Sequence, residues 1–140
     1  MELINNKLIE KERAIMIRIF TNKEIYNFYF LLNENLINEN IVLPIKVNFA
    51  IQKNFNILLE LSEEIENLKQ KICIQNGKYI SESNSFQIDE DKIESTQQQL
   101  DDLMEIKQEV KIHTIKLKDL ENIQLTSKQM QALLFMIEDE

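Results

Sequence analysis

Seven apolar residues, Ile51, Phe55, Leu58, Leu61, Ile65, Leu68 and Ile72, recur at intervals of four, three, three, four, three and four. That spacing holds all of them on one stripe of an α-helix, where residues three and four apart are neighbours. A strand cannot present it, because strand faces alternate every two residues. The run opens near Pro44, the only proline, whose fixed φ and missing N–H suit the first turn of a helix. The spacing predicts a helix of roughly 28 residues, about 42 Å long. A stripe of that length has to be buried against something. A second helix over residues 89–108 is the predicted partner, with Ile93, Thr96, Leu100 and Leu103 at intervals of three, four and three and an acidic first turn that suits the helix dipole. That helix reaches only about 30 Å, so part of the long stripe is left for another partner, and self-association is an expectation.

Between the two helices lies "CIQNGKYI", with the single glycine, Gly77, after Asn76. Asn-Gly flanked by β-favouring residues predicts a two-residue type I′ turn, Ile74 facing Tyr79 and Cys73 facing Ile80, with Gly77 in the left-handed region. One glycine also excludes the phosphate-cradling loops of P-loop and dinucleotide-binding folds, which need several at fixed spacing. "SESNS" then reads as a loop before "FQI" and the second helix.

The flanks carry shorter signals. In "IMIRIF", Ile15, Ile17 and Ile19 alternate as in a strand, although residues 8–20 also admit a helical reading. Thr21 and Glu24 have capping-box spacing ahead of Ile25, Phe28, Tyr29, Leu32 and Leu36, which predicts a helix over 22–38 ended by "NENLINEN". Tyr26, Phe28, Tyr29 and Phe30 crowd that helix all round, so at least one should point away from the local core. In "EVKIHTIKLKDL" the apolar positions change parity between Ile112 and Ile115, which calls for a bulge or bend near His113 and Thr114. Thr126 and Gln129 form a second capping box, with Leu125 and Met130 as its hydrophobic staple, before a helix carrying Met130, Leu133, Leu134 and Ile137.

The expected fold is therefore mostly helical α+β: a long antiparallel helical hairpin with a small β-hairpin at its tip and short strands near its base. It forms one domain over 1–140, an N-terminal strand and helix region (1–42) followed by the helical hairpin, a strand and the C-terminal helix (43–140). No cofactor is expected. A lone Cys73 and a lone His113 cannot make a disulfide or a cysteine zinc site within one chain. They could formally pair as nucleophile and base, but a buried thiol and an ordinary strand histidine is the simpler reading. No apolar stretch approaches the length of a membrane span, and the first 18 residues mix acids and bases unlike a secretory leader. The expected setting is the reducing cytoplasm.

A net charge of −8, from 24 acidic against 16 basic residues, argues against direct nucleic-acid binding and for basic partners. Glu94, Asp101, Glu105 and Glu109 fall close to one side of the second predicted hairpin helix, with Asp102 beside them. A solvated face accounts for such a row. The sharper reading is a ladder of carboxylates offered to a basic surface: residues four apart rise about 6 Å, close to the roughly 6.8 Å of two DNA base pairs.

Two stretches, "LPIKVNFAIQKNFNILLELSEEIENLKQKI" and "VKIHTIKLKDLENIQLTSKQMQALLFMIED", stand on either side of the hairpin and acidic helix. Together they resemble an uncharacterised family of small proteins carried by tailed phages and prophages of low-GC Gram-positive bacteria. The resemblance covers residues 43–139, rests mainly on caps and core positions, and brings no catalytic motif. It implies a phage origin and the host bacterial cytoplasm. With the acidity and the missing motifs, it leads to a non-enzymatic interaction protein that binds a host or virion protein. An inhibitor of a host defence system, of the anti-CRISPR kind, is the leading expectation. A tail-assembly or morphogenesis factor and a hydrolase with an unrecognised carboxylate site are the alternatives.

Overall fold

The computed structural model describes residues 15–138. Residues 1–14, on which the reading of a missing leader partly rests, and residues 139–140 lie outside that range. Strand β1 (Ile15–Thr21) runs straight into helix α1 (Asn22–Leu32). The expected capping box makes the joint: Glu24 N–H donates to Thr21 Oγ1 at 3.1 Å, and Thr21 N–H donates to Glu24 Oε1 at 2.9 Å. A π-helical turn over Asn33–Ile37 completes the helix expected over 22–38. Helix α2 then spans Ile45–Gln75, 31 residues, with Pro44 as its N-cap; at 1.5 Å per residue it is about 46 Å long.

Strands β2 (Gly77–Ile80) and β3 (Ser85–Ile88) form an antiparallel hairpin at the far end of α2. The chain returns through a 3-10 turn (Glu90–Lys92) into α3 (Ile93–Glu105) and β4 (Lys107–His113), which pairs antiparallel with β1. Another 3-10 turn (Leu117–Leu120) leads to α4 (Ser127–Leu133) and a closing turn over Leu134–Met136. The class is α+β and mostly helical, as the stripe and caps require.

Of the seven stripe residues, Ile51, Leu58 and Ile65 are buried, Phe55, Leu61 and Ile72 are half-buried, and Leu68 is exposed. The reach that α3 lacks is supplied by α1. Tyr29 stacks on Phe55 at 5.4 Å between ring centroids, and Tyr26 donates to Glu66 while Lys69 lies 4.6 Å above the Tyr26 ring. Buried Ile25 and Leu32 of α1, Val110 and Ile112 of β4, and Leu133 and Met136 complete the core. Leu58→Ala, at a site with no exposed surface, should cost about 2–5 kcal/mol, read as a lower urea midpoint at an unchanged slope.

Three buried asparagines tie these elements together. Asn22 donates to Leu103 O at 2.8 Å and accepts from Gln108 Nε2 at 2.7 Å, so the β1–α1 joint grips the α3–β4 joint. Asn54 of α2 donates to His113 O and accepts from His113 N–H, both at 2.8 Å, which makes its amide stand in for a neighbouring strand at the edge of β4. Asn76 caps α2 through its side-chain amide, which donates to Ile72 O at 2.7 Å and to Gln99 Oε1 of α3 at 3.1 Å, while its backbone carbonyl accepts Asp89 N–H at 2.9 Å. Burial would penalise each amide heavily if it were unpaired. Each is paired.

The Asn76-Gly77 turn is not formed. Cys73, Ile74 and Gln75 stay helical, because extending an established helix adds a hydrogen bond for each residue fixed, and Asn76 then caps it. The chain reverses instead over residues 81–84, where Asn84 takes φ 51°. Tyr79 therefore faces Phe86 and Ile80 faces Ser85, in place of the expected Ile74–Tyr79 and Cys73–Ile80 pairs. Gly77 does not adopt positive φ. It is needed for close approach: a Cβ there would stand 2.1 Å from Gln87 O and 2.8 Å from Ile88 Cα.

The bend, the second capping box and the outward-pointing aromatic agree with the structure, but the helix expected to carry Leu134 and Ile137 ends at Leu133, and Ile137 is extended. The chain bends after His113, and Ile115 bridges Ile137 in parallel, with Ile115 N–H on Met136 O at 2.9 Å and Glu138 N–H on Ile115 O at 2.7 Å. The Thr126–Gln129 capping box closes at 3.1 and 2.8 Å. Phe30 is the member of the aromatic cluster that points out to solvent.

Candidate functional site

Helix α3 has two unlike sides. Thr96 and Leu103 are buried and Leu100 and Met104 half-buried toward α2, where Leu100, Asp101 and Met104 border the same groove as Glu66, Lys69 and Cys73. At 100° per residue the opposite side carries Glu94, Gln98, Asp102 and Glu105, with Asp101 at its border with that groove, all exposed. Two glutamines steady the carboxylates one turn on: Gln97 Nε2 donates to Asp101 Oδ1 at 2.9 Å and Gln98 Nε2 to Asp102 Oδ1 at 2.8 Å. These bonds fix side-chain direction without cancelling charge. The Lys46–Asp119 and Lys92–Asp89 ion pairs lie elsewhere, and among the described residues no ion pair joins these carboxylates to a lysine or arginine.

Glu109 does not belong to it. Ile106 turns extended at φ −62° and ψ 131°, ending α3, and Glu109 stands on the outer face of β4 opposite Ile19. The polar pattern of residues 105–109 continues the helical period, which is why spacing alone places Glu109 on the helix. Four of the five predicted carboxylates thus share one surface.

The formal Cys73–His113 pair is not assembled. His113 is held by Asn54, and Cys73 lies 19 residues further along the same helix, about 28 Å away. Tyr26 is not positioned as a base either: burial first, then the hydrogen bond and charge of Glu66, hold its phenol far above the usual range. Among the described residues no three His, Cys, Asp or Glu side chains converge on a site that could hold a metal ion, and no helix is long and apolar enough to cross a membrane. A depression between α1 and the C-terminal turn is walled by Phe20, Phe28, Leu31 and Phe135, with Asn27 and Gln131 as its polar members. It offers shape and apolar contact, with no nucleophile or ionisable group to act on a ligand.

Comparison with protein-family models, with curated proteins and with solved structures finds no match to this chain.

Proposed function

We propose that the protein acts by binding another protein, without catalysing a reaction, and that the surface it offers is the acidic side of α3. The observation that carries this reading is the row Glu94, Asp101, Asp102 and Glu105, all exposed, with Asp101 and Asp102 oriented by glutamine amides and none of the four in an ion pair among the described residues. Fixed like charges on a rigid helix attract a basic partner and steer its approach. The rise between Asp101 and Glu105, about 6 Å, suits a channel whose cationic groups are spaced for nucleic acid. The resemblance to phage and prophage proteins supports a host defence nuclease as that partner, with the chain occupying its nucleic-acid path as an anti-CRISPR-like inhibitor.

Tagged protein expressed in the host should copurify a basic nucleic-acid-binding protein, with recovery falling as salt is raised. The triple variant Asp101→Lys, Asp102→Lys, Glu105→Lys should reduce that affinity at least 100-fold, while Glu109→Lys should leave it within about threefold. Equal affinity of the triple variant and the parent would overturn the proposal.

A further inference from the structure

The β1–β4 ribbon has one strand edge whose polar groups turn outward. Both His113 N–H and His113 C=O go to the Asn54 side chain, so they point away from β1. Such groups alternate along an antiparallel pair. In the observed register Ile15, Ile17 and Ile19 lie opposite His113, Lys111 and Glu109, so their N–H and C=O groups also turn away from the partner strand. The bond from Asn22 N–H to Ile106 O, at 2.9 Å, falls where this alternation requires an inward group. Among the described residues nothing pairs with the outward groups of β1. The same three isoleucines are 44%, 61% and 63% exposed, while Phe20 faces the core and Arg18 donates inward to Ile137 O at 3.0 Å.

An apolar edge strand with unpaired backbone groups and no proline or outward charge is a template for another strand. We infer that β1 pairs antiparallel with β1 of a second copy of this chain, about a two-fold axis at Ile17. This register alone sets Ile15 against Ile19 of the other copy and Ile17 against its counterpart. Every outward N–H and C=O of the three residues then meets its complement, and all the isoleucines lie on one face. Shifting by one residue would oppose outward groups with inward ones. The edge is thus its own complement about that axis, isoleucine against isoleucine, and this self-complementarity is what points to a second copy as the occupant. A contact of this length is small, so the dimer belongs to the weak, concentration-dependent class.

Light scattering of the full chain over a range of concentrations should show a monomer–dimer equilibrium, and amide exchange at Ile15, Ile17 and Ile19 should slow as concentration rises. Ile17→Pro removes one outward N–H and no β1–β4 bond, a position where an edge strand accepts proline. It should weaken dimerisation at least tenfold with an unchanged far-ultraviolet spectrum, and Ile17→Val should keep the dimer. Should Ile17→Pro disturb the fold, Ile17→Lys supplies the same comparison through its charge. A monomer at every concentration, a dimer indifferent to both substitutions, or edge amides protected equally at all dilutions would each overturn the inference. The last result would mean that another segment of the same chain occupies the edge.

Discussion

Asn54→Ala should lower the free energy of unfolding by about 3 kcal/mol, from stranding two backbone groups at about 1–3 kcal/mol each. Asn54 has no exposed surface, and its amide meets both the N–H and the C=O of His113 at 2.8 Å. Alanine deletes the donor and the acceptor together and leaves a gap where the amide also touched Met136 Sδ at 3.5 Å. Urea denaturation at pH 7 gives the magnitude, and amide exchange gives the place, since His113 N–H should lose protection before the middle of β4. Asn54→Asp separates the two bonds. A carboxylate can still accept from His113 N–H but faces His113 O without a proton to donate. Burial raises the pKa of such an acid in the folded state, so its penalty should be largest at neutral pH and shrink as pH falls toward the carboxylate range. An Asn54→Ala variant within about 0.5 kcal/mol of the parent would show that the amide is not the joint between α2 and β4.

Substitution of Gly77 should be costly for a reason that separates two accounts of the residue. If glycine served a left-handed turn, asparagine would be tolerated there and valine would not. Because the constraint is the approach of Gln87 O to within 2.1 Å of any Cβ, alanine, asparagine and valine should all fail. The obstructing atoms are backbone of β3 and cannot swing aside, so the hairpin must open or shift. A loss of about 1–3 kcal/mol is expected for each, with Tyr79 and Phe86, now 5.3 Å apart between ring centroids, losing their contact. Normal stability of Gly77→Asn would restore the turn account.

The two glycine accounts also mark where the sequence was legible. The long helix could be read because seven apolar side chains must share one face whatever they touch. Both Thr capping boxes could be read because their partners lie three residues away, and the parity change at His113 signalled the bend. The hairpin could not be placed from "NG" alone. Whether the helix stops before or after "CIQ" depends on Asn76 meeting Ile72, Gln99 and Asp89, two of which come from beyond the hairpin. Similarly, asparagine is abundant along the chain, and nothing in the sequence sets Asn22, Asn54 and Asn76 apart from their exposed counterparts. Their partners lie as far as 86 positions away, so no local pattern marks them. Of the five carboxylates expected on the acidic face, four lie there. Glu109 was misplaced because a polar helix end and an alternating strand read alike until pairing with β1 is known.

Photo-crosslinking from the acidic face inside cells that express the protein tests the functional account most directly. A photoreactive residue at Gln98, between Glu94 and Asp102 on the exposed side of α3, should capture one basic protein as a discrete adduct. The same group at Lys118, in the turn after β4, should capture none. An adduct from Lys118 with none from Gln98 would place the binding surface elsewhere on the molecule and contradict the account.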